Sequence, residues 1–180
     1  MAAKTSVFYL TERVNISAAG TLVSDTIDLG AYCDVADRQG VLVHDVDFVF
    51  QGADSNGNMQ ALNATFSTDA TVFAQLTDLN RAGLVFADDR ALVASGQLLL
   101  DQGDNIISSD ADLYPDNFGP TSAQGGRIVI NDQMYFSAQA SGTFAANDSL
   151  EVTVRIKCSV ISLSQKDFMA IALQSTAADN

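Results

Sequence analysis

Few residues in this chain can do acid–base or nucleophilic chemistry. His44 is the single histidine. It falls in the period-two register of a strand over Val41–Phe50, in line with Leu42, Val46, Phe48 and Phe50. Asp45 and Asp47 flank it, but successive strand side chains point to opposite faces, so neither orients the imidazole as a triad carboxylate would. A satisfied core or rim histidine is expected. No Gly-x-Ser-x-Gly turn is present to expose a nucleophilic serine. Glycoside hydrolysis needs two carboxyls roughly 5–9.5 Å apart. The two glutamates, Glu12 and Glu151, lie near the start of the chain and on the wet face of a late strand, and Asp88 and Asp89 diverge on an extended backbone. No enzyme is expected.

The other candidate chemistry is cation binding by hard oxygen ligands. Asp101, Asp104, Asp110, Asp112 and Asp116, with Asn105 and Asn117, concentrate carboxylates and amides in one polar stretch, the ligand class calcium prefers. Asp54, Asn56 and Asn58 repeat the theme at alternate positions. There Met59 stands where a calcium loop would turn on glycine, and no bidentate glutamate follows. Solvated turns and a calcium site both remain open readings, and calcium is the one cofactor candidate. Cys33 and Cys158 are too few for a disulfide framework; two buried thiols are expected, with a pairing left open.

Charge removes further classes. The 180 residues carry 9 Lys and Arg against 22 Asp and Glu, a net charge of −13. No basic cluster is present to neutralise phosphates, so direct nucleic-acid binding is not expected, and anionic membranes would repel the chain. The N-terminus shows no apolar signal region, and no run approaches the ~20 apolar residues of a membrane span. A soluble chain made in a cytoplasm is expected.

These residues must be positioned by strands. Leu150, Val152, Val154, Ile156, Cys158 and Val160 alternate with Glu151, Thr153, Arg155, Lys157 and Ser159, a long strand with one dry face and one wet face. Further strands are expected at 14–17, 21–29, 41–50, 59–66, 71–76, 91–100, 127–130 and 134–140, separated by Gly, Asn and Asp turns. Ile130-Asn131-Asp132-Gln133 predicts a tight hairpin, and 101–126 a long surface loop. Ser164-Gln165-Lys166-Asp167 resembles a capping box and predicts one short helix over 165–174; a weaker helical turn is predicted at 76–83. With no βαβ rhythm, the fold expected is all-β: a two-sheet antiparallel sandwich, in all expectation a jelly roll, with one short C-terminal helix. The predicted organisation is an extended arm over 1–12, the sandwich over 13–163, and a helix and tail over 164–180.

The alternating strands Val41–Phe50 and Leu150–Val160, with the opening Ser6-Val7-Phe8-Tyr9-Leu10, resemble the single jelly-roll capsid proteins of icosahedral viruses. The type resembled is the small subunit of membrane-containing archaeal and bacterial viruses. That resemblance implies a structural virion protein that builds the shell by side-to-side contacts with its own copies, and leaves room for a second, larger capsid subunit. It implies localisation in the virion after synthesis in a host cytoplasm. Phe8, Tyr9 and Leu10 ahead of the sandwich, and Phe168 and Ile171 behind it, are the assembly contacts it suggests. One departure is the missing basic arm: residues 1–13 hold only Lys4 and Arg13, so genome contact would fall to another component. The competing reading is a carbohydrate-binding sandwich module with a calcium-stabilised Asp-rich loop, supported by Tyr114 within that loop and weakened by the absence of tryptophan.

Overall fold

A computed structural model describes residues 2–111 and 126–177. In chain order the elements are β1 (Ala2–Ala3), β2 (Phe8–Ile16), β3 (Leu22–Asp28), β4 (Gln39–Ala53), β5 (Met59–Gln60), α1 (Leu62–Thr65), β6 (Ala70–Thr77), β7 (Leu92–Asp101), β8 (Ile106–Ala111), β9 (Arg127–Val129), β10 (Gln133–Ala140), β11 (Ser149–Ser162) and α2 (Gln165–Ala177).

Two antiparallel sheets face each other. One carries β2, β11, β4 and β9 side by side, with β1 and β5 as short additions; the other is ordered β3-β10-β6-β7-β8. The pairing is nested: β2 with β11, β3 with β10, β4 with β9, and β6 with β7. The chain is therefore doubled back as one long antiparallel ribbon and rolled so that alternate pairs fall in opposite sheets. That pairing is the jelly roll, and the all-β sandwich with one C-terminal helix is established.

Burial follows the period of two. Leu150, Val152, Val154, Ile156 and Cys158 of β11 are fully buried, and they meet Met134, Phe136 and Ala138 of β10 in one continuous core. The period slips once. Opposite Lys157 and Cys158 of β11 stand Asp45 and Val43 of β4, so His44 is an extra residue in a β-bulge. A bulge reverses which residues face inward. Val46 and Phe48 face the core beyond it, but before it Val41 and Val43 do, and Leu42 is turned to the outside. There Leu42, Ile128, Ile161 and Leu163 form a second apolar cluster, which α2 covers with Phe168 and Ile171.

The start of α2 is set locally. Asp167 N–H donates to Ser164 Oγ at 3.2 Å, and the Ser164 hydroxyl donates to Asp167 Oδ2 at 2.7 Å. Ser164→Ala is expected to cost about 1 kcal/mol. Urea denaturation measures the loss, and faster amide exchange confined to α2 would assign it to the cap.

Several local expectations are corrected. Residues 59–66 are not one strand: β5 is two residues long, and α1 follows as a single helical turn. Thr65 of that turn packs so closely on Gly52 that a Cβ there would collide with the Thr65 hydroxyl. Residues 76–83 are the end of β6 and turns, not helix. The segment 130–133 crosses from one sheet to the other, because β9 pairs with β4 while β10 pairs with β3 and β6. The expected loop over 101–126 contains the edge strand β8, joined to β7 by a turn in which Asn105 adopts φ 54°. Residues 8–12, assigned above to an arm, lie in β2 and pair with β11.

Candidate assembly faces

The two sheets present chemically different outer faces. Ladder partners share a side, so the outward residues of β2, β11 and β4 follow from the register. They include Arg13, Asn15, Glu151, Arg155, Lys157, Asp45 and Asp47. Arg155 Nη2 lies 2.8 Å from Asp47 Oδ2, Arg13 Nε lies 3.5 Å from Glu151 Oε2, and Asn15 Nδ2 donates to Glu151 Oε1 at 2.6 Å. These are exposed pairs, each worth no more than about 1 kcal/mol, and they mark a hydrated face.

The outer face of the second sheet is different. Across its three central strands the outward rows are Tyr135 with Thr77, Ser137 with Gln75 and Ser95, Gln139 with Phe73 and Gln97, and Thr71 with Leu99. Thr77, Gln75 and Ser95 of these rows are buried, and the loop held on Gln75 carries Arg81, Asp88, Asp89 and Arg90; Asp101 at the end of β7 pairs with Ile106. Asp28, and by register Asp110, stand on the two edge strands. Phe73, Leu99 and Ile106 are 39%, 42% and 56% exposed. Beside them Gln75 holds the loop that follows β6: its Nε2 donates to the Val85 carbonyl and the Val85 N–H donates back to Oε1, both at 2.8 Å. The next residue, Phe86, is 87% exposed.

The contact residues suggested by the sequence fall in two places. The Phe8 ring packs on Tyr32 with centroids 5.0 Å apart, and Leu10 leans on the core, while Tyr9 points into solvent. Phe168 and Ile171 are buried against their own sheet, so the exposed apolar residues of α2 are Met169 and Leu173. A helix docked through one face leaves its other face outward.

Of the candidate calcium ligands, the described residues include Asp101, Asp104 and Asp110. Asp101 Oδ1 accepts the Asp104 N–H at 3.1 Å within the β7–β8 turn, and Asp110 lies in β8. Asp112, Asp116 and Tyr114 fall outside the described residues. Asp54 accepts the N–H groups of Asn56 and Asn58 at 2.9 and 2.8 Å and the Asn58 side chain at 3.1 Å; those bonds, the Asn58 amide first, hold its carboxyl below the ordinary 3.8. Among the described residues, no three His, Cys, Asp or Glu side chains are grouped to hold a metal ion.

Glu12 pairs with Val154 and Glu151 with Asn15, positions on opposite faces of one sheet, so the two glutamates do not form a catalytic pair. Asp89 is held by Arg81 at 3.0 Å. His44 Nε2 lies 2.9 Å from Ser159 Oγ, a satisfied rim histidine, but on the outer side rather than in line with Val46. Both cysteines are free thiols. Burial pushes each up to about 11, and Cys33 Sγ donates to the Val129 carbonyl at 3.8 Å.

One polar cluster was not foreseen. Arg127, in register with Val43 and so turned inward, places Nη2 2.7 Å from Asp78 Oδ2; both residues are buried. Its guanidinium also donates to the carbonyls of Leu92 and Arg90. Burial raises the Asp78 carboxyl above its ordinary 3.8, and Arg127 pulls it back in part. The cluster ties β9 of one sheet to the β6–β7 end of the other.

No protein family and no curated protein matches this sequence. Among solved structures, a chain of desmodium yellow mottle tymovirus is similar over 92% of this chain and 95% of its own, at 8% identity and a TM-score of 0.30. VP1 of trichodysplasia spinulosa-associated polyomavirus, in a complex with sialylated glycooligomers, is similar over 89% of this chain and 98% of its own, at 10% identity and a TM-score of 0.34. The jelly-roll assignment rests on the strand pairing of this chain itself.

Proposed function

We propose that the chain is a self-assembling structural subunit of a virion shell. The observation that carries this reading is the exposed apolar patch of Phe73, Leu99 and Ile106 on the outer face of the second sheet. Interface cores are depleted of charged residues relative to the rest of a surface. In this reading copies meet side to side around symmetry axes until curvature closes an icosahedral shell, alone or with a second, larger capsid subunit. Genome contact falls to another component.

Net charge also sets the condition for assembly. Like charges on approaching subunits repel, and salt shortens the range of that repulsion from about 10 Å at 0.1 M to about 3 Å at 1 M. Association is therefore expected to rise with salt. Sedimentation velocity across a salt series, with and without calcium, measures it, and electron microscopy identifies closed particles. Association that weakens steadily with salt would remove the electrostatic brake. A strict monomer under every condition would overturn assembly of a shell from this chain alone, and retention of that monomer on a polysaccharide would favour glycan binding.

A further inference from the structure

We propose that α2 of one copy docks head to tail on the second sheet of the next copy, with Met169 and Leu173 on Leu99 and Ile106, and Lys166 at the acidic rim formed by Asp69 and Asp101. The proposal rests on the shell reading and names one of its contacts.

The receiving groove, of about 350 Å³, lies at one end of the second sheet. Leu99 and Ile106 are its exposed apolar residues, Thr71, Ser108 and Ser141 line it with hydroxyls, and Asp69 and Asp101 line it with acids. Asp69 Oδ1 accepts the Gln102 N–H at 2.9 Å and Asp101 Oδ1 accepts the Asp104 N–H at 3.1 Å, bonds that hold both carboxylates through one oxygen each. A groove of this kind is complementary to an apolar pair with a cation beside it.

The helix α2 presents that combination. Phe168 and Ile171 bury one side of it, and Lys166, Met169 and Leu173, spaced three and four residues apart, share the exposed side. Asp167 is turned aside and bonded to Ser164, and none of the ion pairs among the described residues engages Lys166. The spacings agree as well. Met169 and Leu173 are one turn apart, about 5–6 Å between Cβ atoms. Ile106 stands opposite Asp101, two residues beyond Leu99, which makes it a diagonal neighbour of Leu99 at about 7–8 Å or less. With Leu173 on Leu99 and Met169 on Ile106, Lys166 comes one turn further on, at the end of the groove where Asp101 stands.

Within one chain α2 covers the first sheet and the groove lies on the second, so the helix reaches only the groove of another copy. Each docking event leaves one helix and one groove free. Such a heterologous contact extends into rings or a shell, whereas an isologous pair stops at a dimer.

Sedimentation velocity at the salt where the parent chain associates compares Leu173→Asp, Leu99→Asp and Lys166→Glu with a control, Tyr9→Asp, on the first sheet. All four positions are exposed, and far-UV circular dichroism checks that the variants fold. Association at least tenfold weaker in the first three, and unchanged in the control and in Lys166→Arg, is expected. Lys166→Glu puts an acid in the first turn of α2, where the helix dipole favours it, so its loss cannot come from a weaker helix. Mixing supplies the second arm. Leu173→Asp keeps its groove and Leu99→Asp keeps its helix, so together they should form a one-to-one dimer and nothing larger, while neither associates alone. Parent-like association in any of the first three variants, equal loss in the control, or a mixture that stays monomeric overturns the contact. Closed particles that persist in Leu173→Asp overturn the contact and keep the shell reading. Rings or filaments of the parent that never close into particles keep the contact and overturn the shell reading. A parent chain that stays monomeric overturns both the contact and assembly of a shell from this chain alone.

Discussion

Replacing Arg127 with alanine is expected to destabilise the subunit by about 3–5 kcal/mol, the usual result of removing one partner from a buried ion pair. The loss has two sources. Asp78 is left as a buried carboxylate without its cation, and the Leu92 and Arg90 carbonyls lose a charged donor. Because Arg127 sits on β9 and its acceptors sit at the β6–β7 end, the two sheets lose a polar tie as well as a charge. Chemical denaturation measures the effect, which is a large share of the roughly 5–15 kcal/mol typical of a folded domain. The pH dependence separates the charge from the packing. A carboxyl whose folded pKa lies above its unfolded value is destabilising when ionised, so its penalty is absent at acid pH and grows as pH rises through the interval between the two. Asp78 already lies above 3.8, and removing Arg127 raises it further. The deficit of Arg127→Ala relative to the parent should therefore be smallest below pH 3.8 and greatest once pH exceeds the raised folded value. Asp78→Asn placed on the Arg127→Ala background should recover part of the loss at neutral pH. A deficit below about 1 kcal/mol that does not change with pH would show that Asp78 regains water when the arginine is removed.

What the sequence made legible, and what it hid, divides along a physical line. The strand Leu150–Val160 could be read directly because a surface strand of a sandwich has one wet side, and its alternation holds in β11 from Leu150 to Cys158, beyond which Ser159, Val160 and Ile161 are all buried. The Ser164–Asp167 cap was legible for a similar reason: its donors and acceptors lie within three residues of one another. Interactions between distant segments left weaker traces. The bulge at His44 turned Leu42 outward, yet a regular alternation through Leu42, His44 and Val46 reads equally well without it, since only the register against Lys157 and Cys158 reveals the extra residue. Phe168 and Ile171 were expected to contact neighbouring subunits, but they cover Leu42, Ile128, Ile161 and Leu163 of their own chain, and Leu42 joins that surface only because of the bulge. Arg127 carried one faint signal, as the lone cation between Arg90 and Arg155, directly ahead of the apolar run Ile128–Ile130. Nothing local names Asp78, 49 residues away, as its partner. The apolar patch was hidden for the same reason: Phe73, Leu99 and Ile106 each look like ordinary surface residues until the ladders bring them together.

Phe136→Ala is expected to cost about 3–5 kcal/mol, the range for truncating a buried phenylalanine. Phe136 is fully buried on β10 and stacks across the sandwich on Phe48 of β4, with ring centroids 6.2 Å apart. Its neighbours in the core, among them Met134, Ala138, Val152 and Val154, belong to strands tied into ladders on both sides, so they can move only a little to fill the space. Removing the ring therefore costs its transfer free energy and leaves a cavity. Urea denaturation should show a lower midpoint with an unchanged slope, the sign of lost stability without a change in the surface exposed on unfolding. For a chain of this length, each kcal/mol corresponds to about 2–4 °C in Tm, so thermal scans should fall by about 6–20 °C. Phe136→Leu, which keeps most of the volume, should cost distinctly less. The comparison with Arg127→Ala is informative because the core loss has no titrating group behind it: the Phe136→Ala deficit should stay constant across the acid range in which the Arg127→Ala deficit changes. A Phe136→Ala cost below about 1 kcal/mol would mean that the sheets close over the gap. The roll of strands would then be softer than its pairing implies.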